Sequence, residues 1–250
     1  MLNIKKIKGL YAVALVSIVL TGCASAPDEL ERIEDRSPQA RYTEAKDLVN
    51  NGLYSRAINI LTDLETRYPF GPLSRQVQID LIFAFYKSGR YDEALPAIDR
   101  FMRLNPSHPQ IDYVIFMRGM VNSETGVNPF QEAFGIEDAD KDMEATRDAF
   151  NDFKKIVNQY PQSKYVDESK ARMKVLLDKL ARHEVVIAKY YLRRAAYVAA
   201  LNRCKYVLEY YQQSASVKPA LEIMIEAYDK LGLQDLKQDT EAVYKQNFSS

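Results

Sequence analysis

Gly52-Leu53-Tyr54-Ser55-Arg56-Ala57 returns 37 residues later as Gly89-Arg90-Tyr91-Asp92-Glu93-Ala94. The distance to the next proline keeps step. Ala57 to Pro69 and Ala94 to Pro106 are each twelve residues, and Ala149 to Pro161 repeats that interval. Within each interval, apolar residues fall four and seven positions after the alanine: Leu61 and Leu64, Ile98 and Phe101, Phe153 and Ile156. That spacing puts them on one face of an α-helix. The glycine supplies a turn, the small alanine admits a neighbouring helix at close range, and the proline ends the helix.

A helix, a tight turn and a second antiparallel helix repeated in this way form the tetratricopeptide pattern, so the expected fold is an all-α solenoid. Five units are read, near residues 40–70, 74–107, 110–162, 165–212 and 217–247. In the third, the first helix covers residues 111–121 with Gly119 at the close-packing position, but Ala149 lies thirty residues on. Residues 123–142 are therefore read as an insert with the composition of a loop, apart from Pro129-Phe130 and Phe134-Gly135. In the fourth unit Ala199 is taken as the small residue, with Tyr211 where proline would stand. The fifth turns at Gly232 and carries Lys237 at the small position, as a terminal cap would.

Upstream of the repeats, Lys5, Lys6 and Lys8 precede an apolar run over residues 10–20, followed by Leu20-Thr21-Gly22-Cys23. The run is shorter than the ~20 residues that span a bilayer and fits a signal-peptide core. Small residues just before a cysteine fit a lipobox. Residues 1–22 are thus expected to be removed, leaving Cys23 as an acylated N-terminus and residues 23–39 as a flexible tether. Several acyl chains on one cysteine anchor stably where one would not. Ala24 in place of aspartate favours the outer membrane. The sixteen residues 24–39 give a coil reach of about 20–25 Å and a stretched limit of about 50 Å.

The whole chain balances 34 basic against 34 acidic residues, and removal of the leader leaves a net charge of about −3. Such a balance argues against nucleic acid as a partner. No P-loop, G-x-S-x-G, G-x-G-x-x-G or H-E-x-x-H pattern is present. His108 and His183 make no ligand cluster, and His108, between Ser107 and Pro109, is read as a turn or cap residue. Asp138-Ala139-Asp140-Lys141-Asp142 begins like a calcium loop, yet Met143 and Ala149 stand where glycine and glutamate are required. A lipid-anchored hydrolase would have to use Asp138, Asp140 or Asp142. The expectation is instead a non-enzymatic binding protein with no metal and no cofactor beyond the lipid on Cys23. Cys204, between Leu201 and Val207, reads as a buried small hydrophobe.

Tyrosine is abundant, at 17 residues, and suits peptide contact because it offers area and a hydrogen bond at little entropic cost. Tyr68 and Phe70, outside the repeating apolar positions, are the better candidates for binding. Arg203 falls four residues after Ala199, where other units carry Leu61, Ile98 and Phe153. Three readings stay open: a carboxylate from a partner protein, an intramolecular pair, or a register shifted by one that turns Cys204 inward.

The first unit exits through Arg67-Tyr68-Pro69-Phe70-Gly71-Pro72, and the second through Arg103-Leu104-Asn105-Pro106-Ser107-His108-Pro109. With the lipobox, the third-unit insert, and Ala196-Tyr197-Val198-Ala199 and Asn202-Arg203, these stretches closely resemble the BamD (YfiO or ComL) family of outer-membrane lipoproteins. The resemblance implies a subunit of the β-barrel assembly machinery on the periplasmic face of the outer membrane. It implies docking on the POTRA domains of BamA through the C-terminal repeats, with Arg203 on that side. It also implies reception of the C-terminal signals of unfolded barrel proteins near Arg67, Tyr68 and Phe70, and contact with BamC and BamE. A tetratricopeptide lipoprotein of another envelope assembly, such as a pilus-secretin pilot, is the alternative, but it has no reason to carry the 67–72 motif.

Overall fold

The computed structural model describes residues 37–125 and 143–248. Among these residues the structure is entirely helical, with ten helices in five antiparallel pairs. They are α1 (Pro38–Asn50), α2 (Tyr54–Arg67), α3 (Ser74–Lys87), α4 (Tyr91–Leu104), α5 (Ile111–Thr125), α6 (Glu144–Gln159), α7 (Val166–Arg193), α8 (Tyr197–Tyr210), α9 (Val217–Lys230) and α10 (Gln234–Phe248). Successive helices pack on one another along the chain, giving the tetratricopeptide solenoid. The leader, Cys23 and the tether up to residue 36 lie outside the described residues, as do 126–142, which include Asp138, Asp140 and Asp142.

Two boundaries differ from the sequence reading. Helix α1 starts at Pro38, because Ser37 Oγ accepts from the Ala40 N–H at 3.2 Å and proline is favoured in a first helical turn. Helix α5 runs on through Ser123 to Thr125. Its last turn is closed by side chains: Ser123 Oγ donates to the Gly119 carbonyl at 2.7 Å and Thr125 Oγ1 to Asn122 at 3.1 Å.

Four pairs turn in the same way. Gly52, Gly89 and Gly232 have φ of 73°, 72° and 72°, and Ala195 takes the same place at 58°. In each, the next N–H reaches back to a carbonyl five residues earlier: Leu53 to Leu48, Arg90 to Phe85, Ala196 to Tyr191 and Leu233 to Tyr228, at 2.8–3.0 Å. The exits are equally uniform, with Tyr68, Asn105, Tyr160 and Tyr211 at φ of −129°, −133°, −128° and −129°.

This uniformity corrects the fourth unit. Counting five residues from Ala195, as from Gly52 and Gly89, the small position is Ala200, which is fully buried, rather than Ala199. Cys204 and Val207 then occupy the inward positions, both fully buried, and Gln212 stands where proline stands elsewhere. Tyr211 is not a displaced proline. It is the counterpart of Tyr68 and Tyr160, and its hydroxyl is pushed up to about 12 by burial, with Tyr206 adding to the effect.

The buried apolar side chains form two cores. The first runs through units one to three and into α7, from Ala45 to Leu176, and includes the fully buried Leu61, Ile98 and Phe153. The second holds Leu180, Ala181, Val185 and Ala188 of α7 with Cys204, Val207, Met224 and Tyr228. Helix α7, at 28 residues about 42 Å long, belongs to both. Met143, just before α6, is buried in the second core, so the chain returning from the insert is fixed there. Gly119 is needed where α5 meets α6, since a Cβ there would lie 2.8 Å from Phe153 Cε1.

Candidate docking surfaces

The exit of the first unit projects apolar surface. Helix α2 ends where the Tyr68 N–H reaches Leu64, and the turn is tied by Gly71 N–H to the Tyr68 carbonyl at 3.2 Å. Ser74 Oγ donates to the Pro69 carbonyl at 2.7 Å. Held by these bonds, Phe70 stands 98% exposed, and Tyr68 is 43% exposed. Beside them opens a cleft of about 250 Å³ lined by Leu64, Tyr68, Pro72, Leu73 and Val77 and bounded by Ser37 at the start of α1. Arg67 Nε donates to Asp63 at 2.8 Å, and the buried Arg41 pairs with the same carboxylate. Burial pushes Asp63 upward, but the bonds from Arg41 and Arg67 outweigh it and hold the carboxyl below its ordinary range.

A larger groove, about 850 Å³, runs between α2 and α4 over Leu81 and Phe85 of α3. Two of its arginines are paired: Arg100 bonds Glu65 at 2.5 Å, and Arg90 bonds Glu93 while its guanidinium sits 5.1 Å above the Phe85 ring.

The first helices of the units carry a polar hub. The buried Asp80 accepts from Tyr42 Oη at 2.6 Å, Lys46 Nζ at 3.1 Å and Gln76 Nε2 at 3.3 Å. Burial and the neighbouring Asp80 push the Tyr42 hydroxyl far above its usual value. Farther along, Tyr165 stacks on Phe116 at 4.7 Å and leans on Tyr113 at 5.6 Å. At the root of the insert, Arg118 clamps the buried Asp152 through Nε and Nη2, at 3.0 and 2.6 Å, and reaches Asp99 at 3.2 Å. Burial pushes Asp152 up against the opposing pull of Arg118. This pair fastens α5 to α6.

Arg203 lies on α8, half exposed, with Nη1 3.0 Å from Oε2 of Glu184 on α7. Both intramolecular readings therefore hold: Arg203 is paired within the chain, and Cys204 faces the core. The pair is asymmetric. The Glu184 side chain is only 5% exposed and is held against Arg203, while the guanidinium keeps an open edge. Val198, Tyr206 and Tyr210 stand exposed on the same helix, and the Tyr206 and Tyr210 rings are 4.5 Å apart.

The family model described as YfiO, outer membrane lipoprotein, matches residues 34–243. The chain belongs to this family. It is 39% identical over 241 residues to outer membrane protein assembly factor BamD of Vibrio cholerae, covering 96% of this chain and 97% of that one. The BamD of Neisseria gonorrhoeae is 36% identical over 236 residues, covering 93% and 88%. That of Pasteurella multocida is 35% identical over 243 residues, covering 97% and 92%.

In this YfiO-family chain, Arg67, Tyr68 and Phe70 form one surface at the first exit, whereas Arg203 lies half exposed on α8, beside the second core. Among the described residues no three or more His, Cys, Asp or Glu are grouped to hold a metal ion, and no helix is long and apolar enough to cross a membrane. His108 is a turn residue, its Nδ1 accepting from the Gln110 N–H at 3.2 Å and its ring edge-on to Phe101. Sequence reasoning missed the Asp80 hub and the Arg118–Asp152 clamp. A signal existed in both cases, since Asp80 interrupts the apolar run Ile79 to Phe85 and Asp152 directly precedes the core residue Phe153.

Proposed function

We propose that this chain is a non-enzymatic scaffold of outer-membrane protein assembly, anchored by lipid on Cys23 at the periplasmic face of the outer membrane. The matched relatives are named outer membrane protein assembly factors, and a tetratricopeptide solenoid offers surface for other proteins and needs no cofactor. In this reading it is the BamD subunit of the β-barrel assembly machinery. Its C-terminal repeats hold the POTRA domains of BamA, with Arg203 at the contact. Its first repeats receive the C-terminal signals of unfolded barrel proteins at Arg67, Tyr68 and Phe70, and BamC and BamE are its companion lipoproteins.

The observation that carries the reading is Phe70. An aromatic ring 98% exposed on a hydrogen-bonded turn beside an apolar cleft has no stabilising role in the solenoid and suits a partner's apolar side chain. On the other side, Arg203 has a donor edge free of the protein interior while its partner Glu184 fixes its position. That is how an arginine is presented to a carboxylate.

Affinity recovery tests the assignment. The lipidated chain, tagged at its C-terminus and purified in mild detergent, is expected to bring down a large barrel protein with POTRA domains. Recovery of pilus-secretin components without that barrel would move the chain to another envelope assembly.

A further inference from the structure

The apolar cleft beside Phe70 opens where the described chain begins. Ser37, Pro38 and Gln39 form one of its edges, and Leu64, Tyr68, Leu73 and Val77 line its inside. At about 250 Å³ it lies below the ~300–1,000 Å³ of small-molecule sites and offers room for one or two apolar side chains. The residues immediately upstream of Ser37 read Asp28-Glu29-Leu30-Glu31-Arg32-Ile33-Glu34-Asp35-Arg36. They contain two large apolar side chains, Leu30 and Ile33, among five acids and two arginines.

We propose that residues 28–36 dock on this cleft, with Ile33 or Leu30 in its apolar interior and the acidic residues against Arg67 and Arg75. Three features carry it. The first is reach: Ile33 is four residues from Ser37, a span of up to about 14 Å when extended, and Leu30 lies within about 25 Å. The second is charge. The segment carries a net charge of −3, while Arg67 and Arg75, each next in sequence to a lining residue, are exposed, and Asp63 is shared between Arg67 and Arg41. The third is tethering. A segment held this near has an effective concentration on the order of millimolar, so even a contact of millimolar intrinsic affinity is about half occupied. The dock makes residues 28–36 a built-in competitor for whatever the cleft receives. Only that regulatory consequence rests on the precursor reading above.

The chain contains no tryptophan, so Tyr68→Trp places a single reporter in the cleft. Its fluorescence is compared in the full lipidated protein with and without Leu30→Asp and Ile33→Asp, substitutions outside the repeats. The dock predicts a shift of emission to longer wavelength and at least a twofold rise in acrylamide quenching when both are introduced, with part of the change reproduced by 0.5 M salt. Identical emission and quenching in the two proteins would overturn it. Titration with a C-terminal barrel-protein peptide reads the other claim separately. Binding severalfold tighter after the substitutions ties the dock to the precursor site. Equal affinities with the fluorescence difference intact would remove the precursor from the cleft while leaving the dock standing.

Discussion

The first three units and the last two share one plan but are secured differently. In the first core the position four residues after the small alanine is filled by Leu61, Ile98 and Phe153, all fully buried. In the second core the same position is Cys204. The first two units turn on Gly52 and Gly89, whereas the fourth turns on Ala195 with a positive φ that alanine adopts at a cost of about 1–2 kcal/mol. The terminal helix α10 buries only Thr240. The N-terminal part is thus a deep core with two glycine turns, and the C-terminal part is thinner and locally strained, with α7 common to both. A proposed precursor surface on the first and a proposed partner surface on the second match this division. A stable platform presents the 67–72 turn, and the proposed partner surface lies on a thinner element.

The largest break in the comparison is expected from core truncation. Phe153→Ala should cost about 3–5 kcal/mol in chemical denaturation, while Cys204→Ala, at the equivalent position, should cost about 1 kcal/mol or less. Equal losses would mean that the two cores contribute alike. Next comes Gly119→Ala, which sets a methyl against the enclosed Phe153 ring and should cost about 1–3 kcal/mol by the same measurement. Smaller still is the exchange of turn residues. Ala195→Gly should raise stability by about 0.5–1 kcal/mol, and Gly52→Ala should lower it by a similar amount, because the same backbone conformation is strained in one turn and relaxed in the other.

A pH effect sharpens the contrast on the N-terminal side. The Asp63 carboxyl is held below its ordinary value by Arg41 and Arg67, so its contribution is present above the unfolded value of about 4. That contribution is lost as pH falls through the lower folded value. Melting temperatures measured from pH 5 downward should therefore fall less steeply for Asp63→Asn than for the native chain. On the C-terminal side, burial pushes the Cys204 thiol up to about 12, so an aromatic disulfide reagent at pH 8 should label it only at the rate of unfolding.

Most of the solenoid could be read from spacing because glycine, alanine and proline each enforce a local geometry. The fourth unit slipped by one residue where two of those marks were absent together: Ala195 in place of glycine and Gln212 in place of proline. Nothing local then distinguished Ala199 from Ala200, and the burial of Cys204 against α7 decided it. The 67–72 turn was legible because Tyr68 and Phe70 fall outside the repeating apolar positions, just where Pro69 ends the helix. Asp80 and Asp152 were not, because their partners Tyr42 and Arg118 lie 38 and 34 residues away, the first met only when unit one stacks on unit two and the second only when α6 folds back on α5 across the insert. The Arg203 pair was legible only as one of three readings, as a half-buried arginine finds its carboxylate in the tertiary structure.

That pair also dictates how the account should be tested. Arg203→Glu would set a like charge against the buried Glu184, so Arg203→Gln combined with Glu184→Gln is the cleaner variant. The most direct measurement is a crossed titration of the native chain, Phe70→Ala and this double variant, each against the POTRA domains of BamA and against a C-terminal barrel-protein peptide. The account predicts separable losses: peptide affinity weakened severalfold by Phe70→Ala alone, and POTRA affinity weakened about tenfold by the double variant alone. Losses of both affinities in both variants, or of neither, would contradict a solenoid with one surface for each partner.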